Sequence, residues 1–459
     1  MGFFKAYDMR GTFGVDFDLD VVYRVGRALP QVVGGRRWLV GRDCRETSPQ
    51  VRDALVRGLA DAGAAVTDLG RCTTPMVYFF TAEGDYDGSV MVTASHNPPG
   101  DNGLKVSRRG ALPVGYESGL REVERLAAAD GAKFPVWGEP PPVERVDRTA
   151  EYVAWLKAHS AAVNPQGAPA LRYAVDCSDG MSSIFAHALF PDAAAFLNDA
   201  PDGRFPHHAP NPLKPEAREQ LAACVRERGL DCGVIFDGDA DRCMFVDGGG
   251  AFISPDLLIP VLAETFRAGE PADPPPRVIH DVRTSRGAIA ALRAMGCVPV
   301  MGKVGHAYAK VLLRETGATC GGELAGHYYF RDFHFCDSGA WAALRVLAAF
   351  AAAKRRGLTV AELMRPIAGG WANSGEVNFR VADKEAAIAR VLSCAAGLGA
   401  ETGRETMDGF RLEFAEGWIS VRPSNTEPYL RLIVECDSPA RLGGWLARLR
   451  EAIEGEAER

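Results

Sequence analysis

Four short segments concentrate the residues able to do chemistry. The first is Thr93-Ala94-Ser95-His96-Asn97-Pro98, which sets a hydroxyl beside an imidazole just after the apolar run DGSVMV. A serine hydroxyl becomes a phosphoryl acceptor only when it is positioned and relieved of its proton. Adjacency alone does not pair Ser95 with His96, and Ser, Asn and Pro also make ordinary polar turns. The second is Asp237-Gly238-Asp239-Ala240-Asp241-Arg242, between the apolar runs CGVIF and CMFVD. Carboxylates at alternate positions of a tight loop repel one another unless a cation lies among them. A few hard oxygen ligands favour Mg2+, with water or phosphate completing its shell. An EF-hand is the rival for D-x-D-x-D. It fails because Arg242 stands where Gly is required and Gly248 where the bidentate Glu belongs. A solvated acidic turn is the plainer alternative, and the apolar strands that hold the loop in one shape argue against it.

The third segment is Gly321-Gly322-Glu323-Leu324-Ala325-Gly326-His327, whose glycines let backbone approach a ligand and whose Glu and His can bond sugar hydroxyls. Lys303-Val304-Gly305-His306 is a second glycine-flanked cationic turn upstream. The fourth is Arg422-Pro423-Ser424-Asn425-Thr426-Glu427-Pro428, followed by Arg431. Its guanidinium, hydroxyls, amide and backbone N–H groups suit a phosphate dianion. Each of these, taken alone, is equally a turn made of turn formers. A hydroxyl acceptor, a metal loop, a hydroxyl-binding turn and a phosphate nest on one chain are together what phosphoryl transfer to or from a polyol uses.

Short Val- and Ile-rich runs alternate with longer stretches of helical period through most of the 459 residues, the pattern of βαβ units. RRWLVG reads as a strand, and SPQVRDALVRGLADAG as a helix with Ser48 at its N-cap and Pro49 just inside. The Pro-rich FPVWGEPPPVERVDR reads as a connector. LRYAVDCSDG opens a second unit as a strand leading into a helix, and SPDLLIPVLAETF opens a third. EVNFRV, GFRLEF, GWISVR and YLRLIVEC then alternate as strands with short links, flanked by two helices, which is α+β. The expected organisation is α/β, with units at 1–140, 141–250 and 251–367 and an α+β unit at 368–459.

Composition narrows the function classes. At 47% hydrophobic and 24% charged, with a net charge of −7 and basic residues scattered among acidic ones, the chain does not offer a nucleic-acid surface. The N-terminus MGFFKAYDMRG is charged too early for a signal peptide, and Trp341–Ala353 is too short to span a bilayer and carries Arg345. Eleven cysteines without zinc spacing are expected to be reduced, mostly buried thiols in a cytoplasmic protein.

The motifs TASHNP, DGDADR, GGE-x-x-GH and RPSNTEP, in this order after Tyr7-Asp8-Met9-Arg10-Gly11, resemble the phosphohexomutase superfamily, most closely its bacterial phosphomannomutase/phosphoglucomutase branch. The match runs nearly the whole chain, and HYYFRDFHFCDSG resembles the phosphomannomutase side more than the glucosamine-phosphate side. The resemblance implies four domains around a central cleft: three related α/β domains with mixed sheets and a smaller, mobile α+β phosphate binder. It implies a phosphorylated Ser95, with Mg2+ held by Asp237, Asp239, Asp241 and the phosphoserine oxygen, and a hexose 1,6-bisphosphate as activator. By the same matching Arg10, Lys105, Arg242 and His327 line the transfer site beside Ser95 and His96, with His327 and Lys105 as proton shuttles. Tyr7 is placed with the substrate, Glu323 bonds the sugar's O3 and O4, and Lys303 and His306 lie near the sugar or its phosphate. Arg422, Ser424, Asn425, Thr426 and Arg431 grip the phosphate not in flight. The partner implied is a small phosphosugar, for a monomer or dimer with no nucleic acid and no membrane. Ala325 departs from the family, which usually has Ser there; one lost hydrogen bond to the sugar is worth about 0.5–1.5 kcal/mol. A glucosamine-phosphate mutase, a serine-dependent sugar phosphatase and a non-catalytic phosphosugar binder are the alternatives.

Overall fold

The computed structural model describes residues 2–135, 141–166, 169–267, 269, 273–424 and 429–455. Its strands form four sheets. The first runs Met9–Thr12, Asp101–Arg108, Gly88–Val92, Arg37–Arg42, Ala65–Arg71, Val143–Arg145, with Leu112–Pro113 paired on Asp101–Arg108. Gly88–Val92 through Val143–Arg145 are parallel, and Asp101–Arg108 and Met9–Thr12 close the sheet antiparallel. In the second sheet Ala195–Leu197, Tyr173–Asp176 and Cys232–Phe236 are parallel, followed by antiparallel Cys243–Asp247 and Phe252–Ile253. The third repeats the plan: Val298–Gly302, Arg277–Asp281 and Cys320–Gly322 parallel, then Tyr328–Phe330 and Cys336–Asp337 antiparallel. The fourth is wholly antiparallel and carries the helices Lys384–Ala395 and Pro439–Glu454. This is the fold class expected: three mixed α/β sheets and a C-terminal antiparallel one.

That plan explains where the chemistry lies. A parallel pair needs a long crossover, so short loops fall where strand direction reverses. In the first three sheets the reversal occurs at Gly88–Val92 to Asp101–Arg108, Cys232–Phe236 to Cys243–Asp247, and Cys320–Gly322 to Tyr328–Phe330. The Ser95, aspartate and Glu323 loops occupy these three junctions, and the hairpin from Gly417–Pro423 to Tyr429–Cys436 carries Ser424.

One contiguous apolar core runs through the first three units, where Phe79, Tyr152, Phe333 and Trp341 meet. The fourth sheet has its own core, from Phe379 and Val391 to Trp445 and Ile453. All eleven cysteines are free, and Cys72, Cys177, Cys232, Cys243, Cys297, Cys320, Cys336 and Cys436 are buried. Among the described residues no helix is long and apolar enough to cross a membrane.

Several local expectations need correction. Thr47, not Ser48, is the N-cap of the helix Ser48–Asp61, and no side chain caps it. The Ser48 hydroxyl turns instead to the buried carboxylate of Asp43, which outcompetes the helix terminus. The Pro-rich connector contains the strand Val143–Arg145, paired parallel with Ala65–Arg71; three residues are too few to show a period. After Tyr173–Asp176 the helix is only a 3-10 turn, Met181–Ile184, and the single turn Ala186–Leu189. A 3-10 turn, Pro255–Leu257, likewise precedes the helix Leu258–Arg267. Ala372–Asn373 and Glu401–Glu405 are strands of the last sheet that its alternation did not reveal.

Candidate active site

Ser95 follows a strand with every residue buried and is itself 2% exposed. Its backbone is left-handed, φ 51°, and its N–H donates to Thr93 Oγ1 at 2.8 Å. This turn aims Oγ at Asp237 Oδ2, 2.7 Å away, within 3.2 Å of Arg242 Nη2 and of His96 Nδ1. Burial, then the nearby Arg242, Arg10 and Lys105 charges, hold His96 neutral, well below the ordinary imidazole range.

Asp237, Asp239 and Asp241 are fully buried, and each offers an oxygen within 4.8 Å of the others. Asp237 accepts from Arg242 Nε at 3.0 Å, and Lys105 Nζ lies 2.8 Å from Asp239 and 2.5 Å from Asp241. Thr74 donates its hydroxyl to Asp239 Oδ2 at 2.5 Å. Burial, together with the neighbouring carboxylates, pushes Asp237 up to about 7 against the pull of Arg242. Burial opposes the ionisation of Asp241 too, but Lys105 and His327 hold it down at about 2. Asp239 Oδ1 and Asp241 Oδ1 are buried with no hydrogen-bond partner. Orphaned carboxylate oxygens in an all-oxygen set fit a small hard cation.

His327 borders this cluster through the bridge between Arg242 and His327, and Cys243 N–H donates to Gly326 O at 3.2 Å. Its Nδ1 lies 2.7 Å from Asp337 Oδ2, and Lys310 Nζ lies 2.8 Å from Asp337 Oδ1. Burial works against a charged ring here, yet Asp241 and Asp337 outweigh it and raise His327. Arg10 comes in from the strand Met9–Thr12, donating to Asp8 at 2.5 Å and to Asn97 Oδ1 at 3.1 Å.

The remaining residues continue away from Ser95. Glu323 is 2% exposed and accepts from Tyr329 Oη at 3.0 Å and Gly305 N at 3.2 Å; burial raises it. His306 opens the helix His306–Thr316 with both ring nitrogens unpartnered, its ring 5.3 Å from Tyr7 and 5.9 Å from His327. Lys303 is exposed, 5.7 Å from the Tyr308 ring. Asp408 Oδ2 accepts from Val304 N at 3.1 Å and Arg422 Nη1 at 3.2 Å, so the turn from Lys303 to His306 touches the last sheet. Arg431 donates to Glu376 at 3.0 Å and to Ser424 Oγ at 3.4 Å, and Glu376 also faces Arg283 at 3.3 Å and Arg422 at 3.6 Å. Asn425 and Thr426 lie outside the described residues.

The structure therefore brings Ser95, His96, Arg10, Lys105, Arg242, His327 and the three aspartates into one cluster. It places Tyr7, His306 and Glu323 beside that cluster and Arg422, Ser424 and Arg431 across Asp408. Sequence reasoning missed Thr74, Asp337, Lys310, Arg283, Glu376 and Asp408, which act on the motif residues through space. Only Asp337, in CDSG after the His327 segment, sat close enough to a motif to be suspected.

Comparison with known proteins agrees with this geometry. Residues 1–132, 150–250 and 254–368 match phosphoglucomutase/phosphomannomutase alpha/beta/alpha domains I, II and III, and 376–452 match the C-terminal domain of the same family. A phosphomannomutase of Salmonella montevideo is 37% identical over 450 residues, 94% of each chain. One of Escherichia coli K12 is 36% identical over 444 residues with the same coverage, and a phosphohexose mutase of Xanthomonas campestris is 36% identical over 446, covering 96% of both. A solved phosphoglucomutase/phosphomannomutase family protein from Burkholderia thailandensis superposes with a TM-score of 0.84 at 30% identity, over 99% of this chain and 97% of that one. Near-complete coverage at such identity, on a chain whose serine and aspartate loops meet in space, makes this protein a phosphohexomutase of the phosphoglucomutase/phosphomannomutase family.

Proposed function

We propose that the protein interconverts the 1- and 6-phosphates of a hexose, mannose and/or glucose, with Ser95 carrying the phosphoryl group. The observation behind this reading is the Ser95 hydroxyl, buried on a left-handed turn and pointed into carboxylate and guanidinium together. Phosphoserine 95 gives its phosphoryl group to the free hydroxyl of a bound hexose phosphate. The P–Oγ bond breaks as the P–O bond to the sugar forms, the sugar's proton passes to Nε2 of His327, whose Nδ1 is held by Asp337, and the released Ser95 Oγ takes a proton from the Lys105 ammonium. The resulting 1,6-bisphosphate turns around and returns its other phosphate to Ser95. Asp237, Asp239, Asp241 and the phosphoserine oxygen would hold Mg2+, which supplies charge neutralisation for the phosphoryl oxygens. Arg10, Arg242 and Lys105 surround Ser95 with fixed positive charge that needs no rearrangement during transfer. Glu323 accepts from the sugar's O3 and O4 hydroxyls while Tyr7, Lys303 and His306 flank the ring. Arg422, Ser424 and Arg431, together with Asn425 and Thr426, bind the distal phosphate, whichever end of the sugar presents it.

A coupled assay with mannose 1-phosphate and glucose 1-phosphate, Mg2+ and a trace of glucose 1,6-bisphosphate tests the reading. Formation of 6-phosphates without inorganic phosphate is expected, and the ratio of rates ranks the sugars. Release of phosphate in place of isomer would make the protein a phosphatase, and silence on both hexoses but turnover of glucosamine 1-phosphate would change the sugar.

A further inference from the structure

Arg45 is 0% exposed, and its guanidinium is taken up almost wholly by the backbone of the Ser95 loop. Nη2 donates to the carbonyl oxygens of Ser95 at 2.9 Å and Asn97 at 2.7 Å. Nη1 donates to those of Pro98 at 2.5 Å and Asp101 at 2.9 Å. Nε lies 3.2 Å from Asp43 Oδ2. The second unit closes over this arrangement: the Phe205 ring centre is 5.1 Å from the guanidinium carbon, and a Cβ on Gly203 would come within 2.4 Å of Arg45 Cα. A Cβ on Gly238 would lie 2.5 Å from the Ser95 carbonyl, so that oxygen is wedged between the metal loop and the guanidinium.

Other bonds hold the loop by its N–H groups, its side chains and Gly100 O: Ser95 N to Thr93 Oγ1 at 2.8 Å, Arg10 Nη1 to Asn97 Oδ1 at 3.1 Å, Asn97 Nδ2 to Asp101 Oδ2 at 2.9 Å and Phe13 N to Gly100 O at 3.2 Å. Its internal backbone bonds are Asn97 N to Ala94 O at 3.0 Å and Asp101 N to Pro98 O at 3.1 Å, and Pro98 and Pro99 have no N–H to give. A left-handed serine persists only where its surroundings over-determine it. A planar fork of five donors can gather several carbonyl oxygens in one plane; an ammonium, with the same charge at a point, cannot.

We propose that Arg45 is the positioning residue of the carrier serine. By collecting the carbonyls of Ser95, Asn97, Pro98 and Asp101 on one fork, it keeps Ser95 left-handed and its Oγ turned to Asp237 and Arg242 in both half-reactions, without touching substrate. The inference rests on Ser95 being the carrier. It assigns the effect to shape and not to charge, so Arg45→Lys separates the two.

The test compares wild type, R45K and R45A, each checked for native circular dichroism and melting. Both variants are expected to lose at least about 100-fold in kcat, as a misplaced reacting group does, with KM for glucose 1-phosphate within about threefold. The rate at which glucose 1,6-bisphosphate phosphorylates Ser95, followed by intact mass, should fall in parallel. Guanidinium ion, but not ammonium, should recover part of the R45A rate. A folded R45K with kcat near wild type, a change confined to KM, or an unaltered Ser95 phosphorylation rate would overturn the proposal. Should neither variant fold, F205A, which lets water compete for the guanidinium, should lower kcat about tenfold at constant KM, and an unchanged kcat there would overturn it. Wild type that takes up no phosphate on Ser95 would instead remove the carrier reading beneath it.

Discussion

Thr74 conditions the aspartate loop with one hydroxyl. Its Oγ1 donates to Asp239 Oδ2 and its N–H to Asp239 O at 3.1 Å, which fixes the carboxylate and leaves Oδ1 as the buried oxygen without a partner. Partners that orient a ligating carboxylate typically carry 10–100-fold of metal affinity. Thr74→Val should therefore raise the Mg2+ concentration for half-maximal rate by about that factor. An unchanged Mg2+ titration would mean that Asp239 is not a ligand. Ser95→Ala should keep the fold and lose on the order of 10^3-fold or more in kcat, read in the isomerase assay. Residue by residue, what the residues themselves made legible lay inside a loop of its own: Ser95 with His96, the alternating aspartates, Glu323 with His327; Arg10 and Lys105, on strands, came only with the family resemblance. Thr74 is 165 positions from Asp239 and Arg45 is 50 or more from the carbonyls it holds, so only folding brings them into view. Arg45 and Thr74 also look unremarkable by type, one a charge in a helix approach, the other a hydroxyl before a proline.

At the scale of elements, the helices Leu19–Val32 and Ser48–Asp61 cross at two glycines. A Cβ on Gly26 would sit 2.5 Å from Leu55 O, and one on Gly58 would sit 2.1 Å from Tyr23 O. Gly58→Ala must push the helices apart and should cost about 1–3 kcal/mol in urea unfolding, the range for overpacking. The helix His306–Thr316 is anchored differently. Lys310 and Asp337 are both fully buried, 2.8 Å apart, and the ammonium also sits 3.4 Å from the Tyr78 ring centre. Lys310→Met removes one of the two partners of the buried Asp337 carboxylate and leaves it to His327, so it should lower stability by about 3 kcal/mol, the low end for breaking a buried pair, seen as a lower urea midpoint. Neither feature announces itself by pattern. The strands and long helices were legible because burial imposes a period. Val143–Arg145 and the cap of Ser48–Asp61 were not, because a three-residue edge strand and a serine diverted to Asp43 are set by neighbours remote in sequence.

For the whole molecule, the polar residues buried by this architecture set its response to acid. His280, in the strand Arg277–Asp281, is 4% exposed, and burial, aided by Arg411, lowers its ring to about 4. The unfolded chain binds that proton near pH 6.5 and the folded one only near 4, so stability is complete above 6.5 and falls as the pH drops through that window. The loss from this ring amounts to about 3 kcal/mol. Asp256 acts in the opposite sense: burial raises it to about 6, so the folded state gains as the pH falls from 6 towards 3.8. Urea midpoints of wild type and His280→Gln at pH 7.5 and 4.5 isolate the histidine, and the variant should lose less on acidification. Equal losses would assign acid sensitivity elsewhere. Three sheets on one plan were foreshadowed by the common rhythm of strand and helix along the chain. That the reversal in each sheet delivers one chemical loop to a shared site emerges only once the sheets are closed and packed through Phe79, Tyr152, Phe333 and Trp341.

The buried cysteines give the molecule an internal clock. Cys72 reports on the first sheet, Cys177, Cys232 and Cys243 on the second, Cys297, Cys320 and Cys336 on the third, and Cys436 on the fourth. Burial pushes the Cys177 thiol up to about 12 and Cys436 up to about 11, so a thiol reagent meets neither access nor thiolate until the surrounding unit opens. Pulse alkylation with peptide mapping would then time the opening of each unit separately. Cys436, in the unit that the shared core does not reach, should be tagged first, and saturating sugar bisphosphate should slow its tagging far more than that of Cys177.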